Sequence, residues 1–298
     1  MSAEVVSQPS PPRVADVVPP APVMIMVAPT GSKSMKKDNA AIPISPAEIA
    51  EDVIRCARAG ACIAHLHARD VSGRPTQESA VFGEAIQRIR EESDIVIQIS
   101  LGSPGFTVEE AIAPLVLDPE MVAFPLRAFA DAAIGSGVPE SVEEMARAVH
   151  ATRSITELDI VDQESRSGVD VVLESGLVRS PVAFGVNVQN PKVMREGIGH
   201  LLSLTEGLPE GHAWWLMKGG PCMPGLSALA AELGGHIRVG LEDSIHGFDG
   251  TAHDASNVTL VKHAVGLCEA LGRPIATPAD VRAFFRIGLA GASPDPIS

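Results

Sequence analysis

Three features of the 298-residue sequence predict an α/β chain folded as a (β/α)8 TIM barrel. Short apolar runs alternate with amphipathic, helix-like stretches through eight cycles, the pattern of βα units feeding a parallel sheet. Those cycles occupy about 260 residues, the usual extent of one closed barrel. No GxGxxG or GxxxxGK[ST] segment follows the first strand, where an open, doubly wound sheet would cradle a phosphate.

Residues 1–22 hold six prolines, which remove backbone donors and restrict their neighbours, so this stretch is expected to be a flexible arm. From Val23, VMIMVA reads as a strand buried on both faces, ended by Pro29-Thr30-Gly31. In IPISPAEIAEDVIRCARAG, Ser45 can cap, Pro46 takes the first helical position, Glu48 completes a capping box and Gly60 closes the helix. ACIAHLHARD forms the second strand, with a helix around Glu78–Arg90 behind it. The strand Asp94–Ser100 and a helix from Thr107 follow. Further strands begin at Met121 (MVAFPL), Ser154 (SITELDIV), Ser180 (SPVAFGVNV), His212 (HAWWLMK) and His236 (HIRVGLED), each trailed by a helix-like stretch. One barrel domain over residues 23–290 is therefore expected, followed by a tail at 291–298.

The net charge of −14 makes phosphate backbones and anionic lipid surfaces poor partners, so neither nucleic acid nor membrane is expected. Cys56, Cys62, Cys222 and Cys268 contain no CxxC pair, which argues against a disulfide framework or a cysteine zinc site. No signal-like start and no long apolar run is present, so a soluble, cytoplasmic protein is the expectation.

A closed barrel gathers its chemistry where the βα loops converge, at the carboxyl ends of the strands. His65 and His67 end the second strand two residues apart, so both imidazoles share one face. A single strand-end histidine is ordinarily just solvated, but Glu242 and Asp243 close the eighth strand, and strands one, two and eight are neighbours in a closed barrel. Two histidines and one carboxylate make the ligand count of a catalytic metal site. Arg238 points inward from an apolar strand and needs a carboxylate partner, for which Asp243 is the obvious choice. Ser100 ends the third strand near the two histidines, and Glu157 and Asp159 share a face of the fifth. Trp214 and Trp215 are expected to pack core against helix, the methionines to be core, and His246 and His253 to be solvated.

APTGS after the first strand, PISPAEIAED, AGACIAHLHARD, VIQISLG and the long segment HIRVGLEDSIHGFDGTAHDASNVTLVKHAVGLCEALGRPIATPADVR resemble the β-keto acid cleavage enzyme family. The likeness runs from about Val23 to Gly288. It implies a zinc-dependent barrel, commonly tetrameric, that condenses a β-keto acid with acetyl-CoA to give acetoacetate and a new acyl-CoA. It also implies zinc ligands at His65, His67 and Glu242, and a proton-transfer group at Ser100, Arg238 and Asp243. Zinc would serve as a Lewis acid on the keto oxygen.

Thr30 belongs to the substrate-facing TG of the first βα loop, after which the family's founding enzyme carries an acidic residue that meets an amino group. Here the residue is Lys33, and Lys33, Lys36 and Lys37 are half of the six lysines in the chain. Lys33 is expected to favour a neutral or anionic substrate tail, with Lys36 or Lys37 available to CoA phosphates. The fourth strand, MVAFPLRAFA, and the fifth, continuing as VDQES, depart from the family pattern and point to a divergent substrate. Two other readings remain open from the residues alone: a metal-dependent hydrolase or aldolase on the same barrel, and a barrel that binds ligand without turnover.

Overall fold

A computed structural model describes residues 21–102, 105–124, 140–188, 191–218, 220, 223–247 and 255–288. Most of the expected proline-rich arm, the 291–298 tail, Cys222, His253 and the fourth-strand continuation after Phe124 lie outside the described residues. The barrel strands are β1 (Ile25–Val27), β2 (Ile63–Leu66), β5 (Val96–Ser100), β6 (Met121–Phe124), β7 (Ile155–Ile160), β8 (Ala183–Asn187), β9 (Ala213–Met217) and β10 (His236–Val239). They close in the order β1-β10-β9-β8-β7-β6-β5-β2, every pair parallel. Each strand falls inside the run that its sequence marks. A short antiparallel ribbon of β3 (Ala68–Arg69) and β4 (Pro75–Thr76) is inserted after β2.

The helices form where local chemistry starts them. In α1 (Pro46–Arg58), Ser45 and Glu48 make the reciprocal capping box and proline opens the first turn, while Ile49, Val53 and Cys56 recur on the buried side. The helices α2 (Ser79–Glu92), α3 (Val108–Ile112), α4 (Glu140–Ala151), α5 (Gln163–Glu174), α6 (Met194–Thr205), α7 (Met223–Glu232), α8 (Asn257–Ala270) and α9 (Pro278–Phe285) complete the described set. None is long and apolar enough to cross a membrane.

Two apolar regions result. The larger lies between strands and helices. The smaller fills the barrel lumen with Met24, Met26, Ile63, Val96, Met121, Ile155 and Trp215, and is closed from below by Val281 and Phe285 of α9. The methionines of β1, β6 and β9 are thus core, as expected. The tryptophans divide, because successive strand residues face opposite ways: Trp214 packs outside the barrel over Gly235, whereas Trp215 points into the lumen.

The inward-facing series explain why the site is at one end. Reading toward the carboxyl ends, β2 presents Ile63, His65 and His67; β5 presents Val96, Gln98 and Ser100; β7 presents Ile155, Glu157 and Asp159. Each series begins apolar and turns polar, so the floor is a packed core and the mouth is chemical.

The ends of β1 and β10 are drawn together by backbone contact. The Ala28 amide donates to Val239 O at 2.8 Å and the Glu242 amide donates to Ala28 O at 3.2 Å. Gly240, at φ 152°, permits this, since a Cβ there would overlap Ala28 O. Gly240→Ala is therefore expected to cost at least ~2 kcal/mol through backbone strain and overlap. Gly266→Ala, on an open helical face of α8, is expected to add about 0.5–1 kcal/mol. Equilibrium denaturation of the two variants measures both effects.

Candidate metal centre and catalytic pair

His65, His67 and Glu242 converge from neighbouring strand ends. Their ligand atoms all lie within 4.8 Å of one another, and they are the one such group among the described residues. His65 Nε2 stands 3.5 Å from one Glu242 carboxylate oxygen and His67 Nε2 3.5 Å from the other. The loop after β1 presses on this carboxylate, because a Cβ at Gly31 would overlap Glu242 Cγ.

Gln98 fixes how His65 presents itself. Its amide nitrogen donates to Glu157 Oε2 at 2.6 Å, which turns its carbonyl oxygen toward His65 Nδ1, also at 2.6 Å. Nδ1 must then carry the proton, and Nε2 keeps its lone pair toward Glu242. Burial, reinforced by Arg238, lowers the His65 pKa to about 3, so the ring is neutral, as a ligand must be. The donor set therefore fits a divalent ion on two further grounds: Glu242 Oε2 is buried without a hydrogen-bond partner, and Gln98, which orients His65, is itself held by Glu157.

Arg238 joins this group to a second carboxylate. Its Nε donates to Asp243 at 2.8 Å, its Nη2 to the other Asp243 oxygen at 3.1 Å and to Glu242 Oε1 at 2.6 Å. Asp243 is thus the expected partner, and Glu242 is an added one. Burial opposes ionisation of Glu242, yet the Arg238 guanidinium holds its carboxyl well below the usual range. For Asp243 burial prevails, with Glu242 adding to it and Arg238 opposing, and its pKa is raised.

Glu157 and Asp159 both face the lumen, with an oxygen of each crowding the same glycine, Gly185. Burial and their mutual repulsion push Glu157 up to about 8, and burial brings Asp159 to about 6, so the pair retains a proton at neutral pH. Gly185 makes room: a Cβ there would stand 2.6 Å from Glu157 Oε1 and 2.8 Å from Asp159 Oδ1. Neither carboxylate belongs to the metal group.

The remaining expected residues are placed as follows. Ser100 is buried at the end of β5, and its hydroxyl donates to Gly102 O at 3.3 Å, not to either imidazole. Thr30 is buried with no partner for its hydroxyl. Lys33 and Lys37 are exposed, and Lys36 is paired with Glu48 of α1. Arg69 ties the lysine loop to the ribbon by donating to Ser34 O and to Gly73 O, each at 2.9 Å. His246 is exposed, as expected. Sequence reasoning passed over Gln98, whose polar side chain inside VIQIS was the available signal. It also passed over Asn187, buried at the end of β8 with an unpartnered carbonyl oxygen, and Lys218 just beyond β9.

Comparison with known proteins settles the lineage of this arrangement. The beta-keto acid cleavage enzyme family matches residues 22–287. The chain belongs to that family. It is 31% identical to a 3-keto-5-aminohexanoate cleavage enzyme of Fusobacterium nucleatum, over 87% of this chain and 96% of that protein. It is 30% identical to a 3-oxoadipate:acetyl-CoA acetyltransferase of Cupriavidus necator, over 88% and 94%. Among solved structures, ObcA in a ternary complex with a C4-CoA adduct and oxalate superposes with a TM-score of 0.67 at 18% identity. That match spans 83% of this chain and 68% of ObcA, and shows a shared barrel fold. The protein is accordingly an enzyme of the β-keto acid cleavage type, which answers the reading of a barrel without turnover.

Two outcomes test the site. Gln98→Leu releases the His65 tautomer and is expected to weaken metal binding about 10–100-fold, measured by competition against a chromophoric chelator. The Glu157–Asp159 pair binds more protons folded than unfolded between the ordinary carboxylate range and about pH 8, so its contribution to stability is present at low pH and lost as pH rises through that window. Melting curves from pH 5 to pH 8.5 should fall more steeply for the natural protein than for Glu157→Gln.

Proposed function

We propose that this enzyme condenses a β-keto acid with acetyl-CoA, releasing acetoacetate and the acyl-CoA of the remaining chain. The observation that carries the reading is the convergence of His65, His67 and Glu242 beside the Arg238–Asp243 pair, in a chain whose relatives include a named acetyl-CoA acetyltransferase.

His65, His67 and Glu242 would hold the metal, for which zinc suits two imidazoles and a carboxylate. Such an ion supplies Lewis acidity toward the keto oxygen of the substrate. The chain's own groups do the proton work. Asp243, raised by burial, is a stronger base than an ordinary carboxylate and takes a proton from the carbon between keto group and carboxylate. Arg238 keeps its carboxylate aimed by a two-point contact. Ser100, at the mouth of β5, orients the acid. The carbanion attacks the acetyl carbonyl and expels the CoA thiolate; the thiolate then adds to the original keto carbon, the carbon–carbon bond breaks, and Asp243 returns its proton to the departing acetoacetate carbanion. Atoms balance without a covalent enzyme intermediate.

Thr30 and Lys33 lie on the loop after β1, which the substrate would pass on entering, and Glu157 and Asp159 stand deeper on the other wall. The exposed charge of Lys33 favours a neutral or anionic tail over a cationic one. Lys36 is held by Glu48, which leaves Lys37 as the freer cation for CoA phosphates. The same reading includes a homotetramer in the cytoplasm, where acetyl-CoA is available.

Metal-loaded enzyme incubated with acetyl-CoA and a panel of β-keto acids should form acetoacetate only when both are present. Acetoacetate or another cleavage product without acetyl-CoA would favour the hydrolase or aldolase reading. Glu242→Gln should bind less metal and lose activity by at least about 100-fold, of the order expected for losing a polarising group.

A further inference from the structure

We propose that Lys218 anchors a second carboxylate on the substrate, so that the acid taken by this enzyme is a dicarboxylic β-keto acid. The proposal deepens the acyl-transfer reading and rests on it only for the chemistry at the keto end.

Lys218 directly follows β9 and has a φ of 58°, a left-handed conformation that L side chains with a Cβ adopt at a steric cost. Two glycines stand next in the sequence, either of which would tolerate that conformation; a lysine occupies it instead. Such an outlier at the mouth of a barrel points to a job for the side chain.

Among the described residues the Lys218 ammonium makes no ion pair and no hydrogen bond, in contrast to Lys36 on Glu48. It lines a recess with Arg238, Asp243, Ser244 and His246. Its charge is felt by Asp159 and by Asp243, yet neither needs it as a counter-ion. Asp243 is gripped at both oxygens by Arg238, and among the described residues no ion pair joins Lys218 to Asp159. The lysine is left for an incoming anion.

Position selects which anion. The candidate metal ligands come from the ends of β2 and β10, on either side of β1, whereas Lys218 directly follows β9, two strands from β1 and so roughly 10 Å from that centre along the rim. A keto oxygen at the histidines and a carboxylate at Lys218 therefore belong to opposite ends of one short acid. The recess is inside the mouth, next to the catalytic pair, while Lys37, the lysine suited to CoA phosphates, stands exposed on the β1 loop.

The test compares 3-oxoadipate with its neutral-tailed counterpart 3-oxohexanoate, using metal-loaded enzyme. Lys218→Met should raise KM for 3-oxoadipate at least tenfold more than for 3-oxohexanoate. Equal increases for both acids would assign the lysine to the carboxylate that every β-keto acid carries, and an increase in KM for acetyl-CoA alone would assign it to the coenzyme; either overturns the proposal. Lys218→Gly, which suits the left-handed backbone, should melt at a higher temperature and still lose the discrimination; discrimination retained by this variant also overturns it. Calorimetric binding of the two acids keeps the questions separate. Preference for 3-oxoadipate that disappears in Lys218→Met supports the anchor even if no acetoacetate forms, in which case the acyl-transfer reading fails alone. Equal affinity of the natural protein for both acids overturns the anchor whatever the turnover.

Discussion

The guanidinium of Arg238 lies inside the barrel mouth, 3% exposed as a residue, with three donated hydrogen bonds to two carboxylates. Everything at the carboxyl end is arranged around that buried charge. Without it, Glu242 and Asp243 would be adjacent carboxylates in a low-dielectric space, and at least one would take up a proton. A protonated Glu242 could not serve the candidate metal group, and a protonated Asp243 could not take the proton that the proposed mechanism assigns to it. Burial of the ion cluster is unfavourable by several kcal/mol per charge in isolation, so the cluster is sustained by geometry: a fork on Asp243 and a single strong bond to Glu242.

That geometry is inherited from the barrel. Parallel pairing sets Met26 beside Arg238 and His65 beside Gln98, which brings β10, β1 and β2 into one arc and His65, His67 and Glu242 to one side. Closure supplies the opposite wall, where Gln98 reaches across to Glu157. A polar chain thus runs from His65, a candidate metal ligand, through the Gln98 carboxamide to Glu157. Asn257, fully buried at the start of α8, pins the rim by accepting from the Leu241 amide at 2.8 Å and donating to Pro29 O at 3.0 Å. The loops that carry Thr30 and Glu242 are thereby tied to one side chain.

Much of this was legible in the sequence because it is written in local periods. Strands buried on both faces read as apolar runs, capping boxes mark helix starts, and a period of two puts His65 with His67 and Glu157 with Asp159. The pairing of Arg238 with Asp243 followed from the rule that a buried charge needs a partner. What stayed hidden depends on register or backbone conformation. Gln98 gains its role only when β5 lies beside β2 and across from β7. The two tryptophans share an apolar context, and only the pleat sends Trp215 inward and Trp214 outward. Lys36 looked like a free cation until α1 placed Glu48 against it, and the left-handed backbone of Lys218 has no sequence signal at all.

The most direct test of the central claim is anomalous diffraction at the zinc edge from crystals of the zinc-loaded enzyme. The account requires one strong peak bounded by His65 Nε2, His67 Nε2 and a Glu242 oxygen, at about 2.0–2.2 Å from each, with His65 Nδ1 still bonded to Gln98 and Arg238 still on Asp243. A peak at other residues, ligation through His65 Nδ1, or no peak in excess zinc would contradict it.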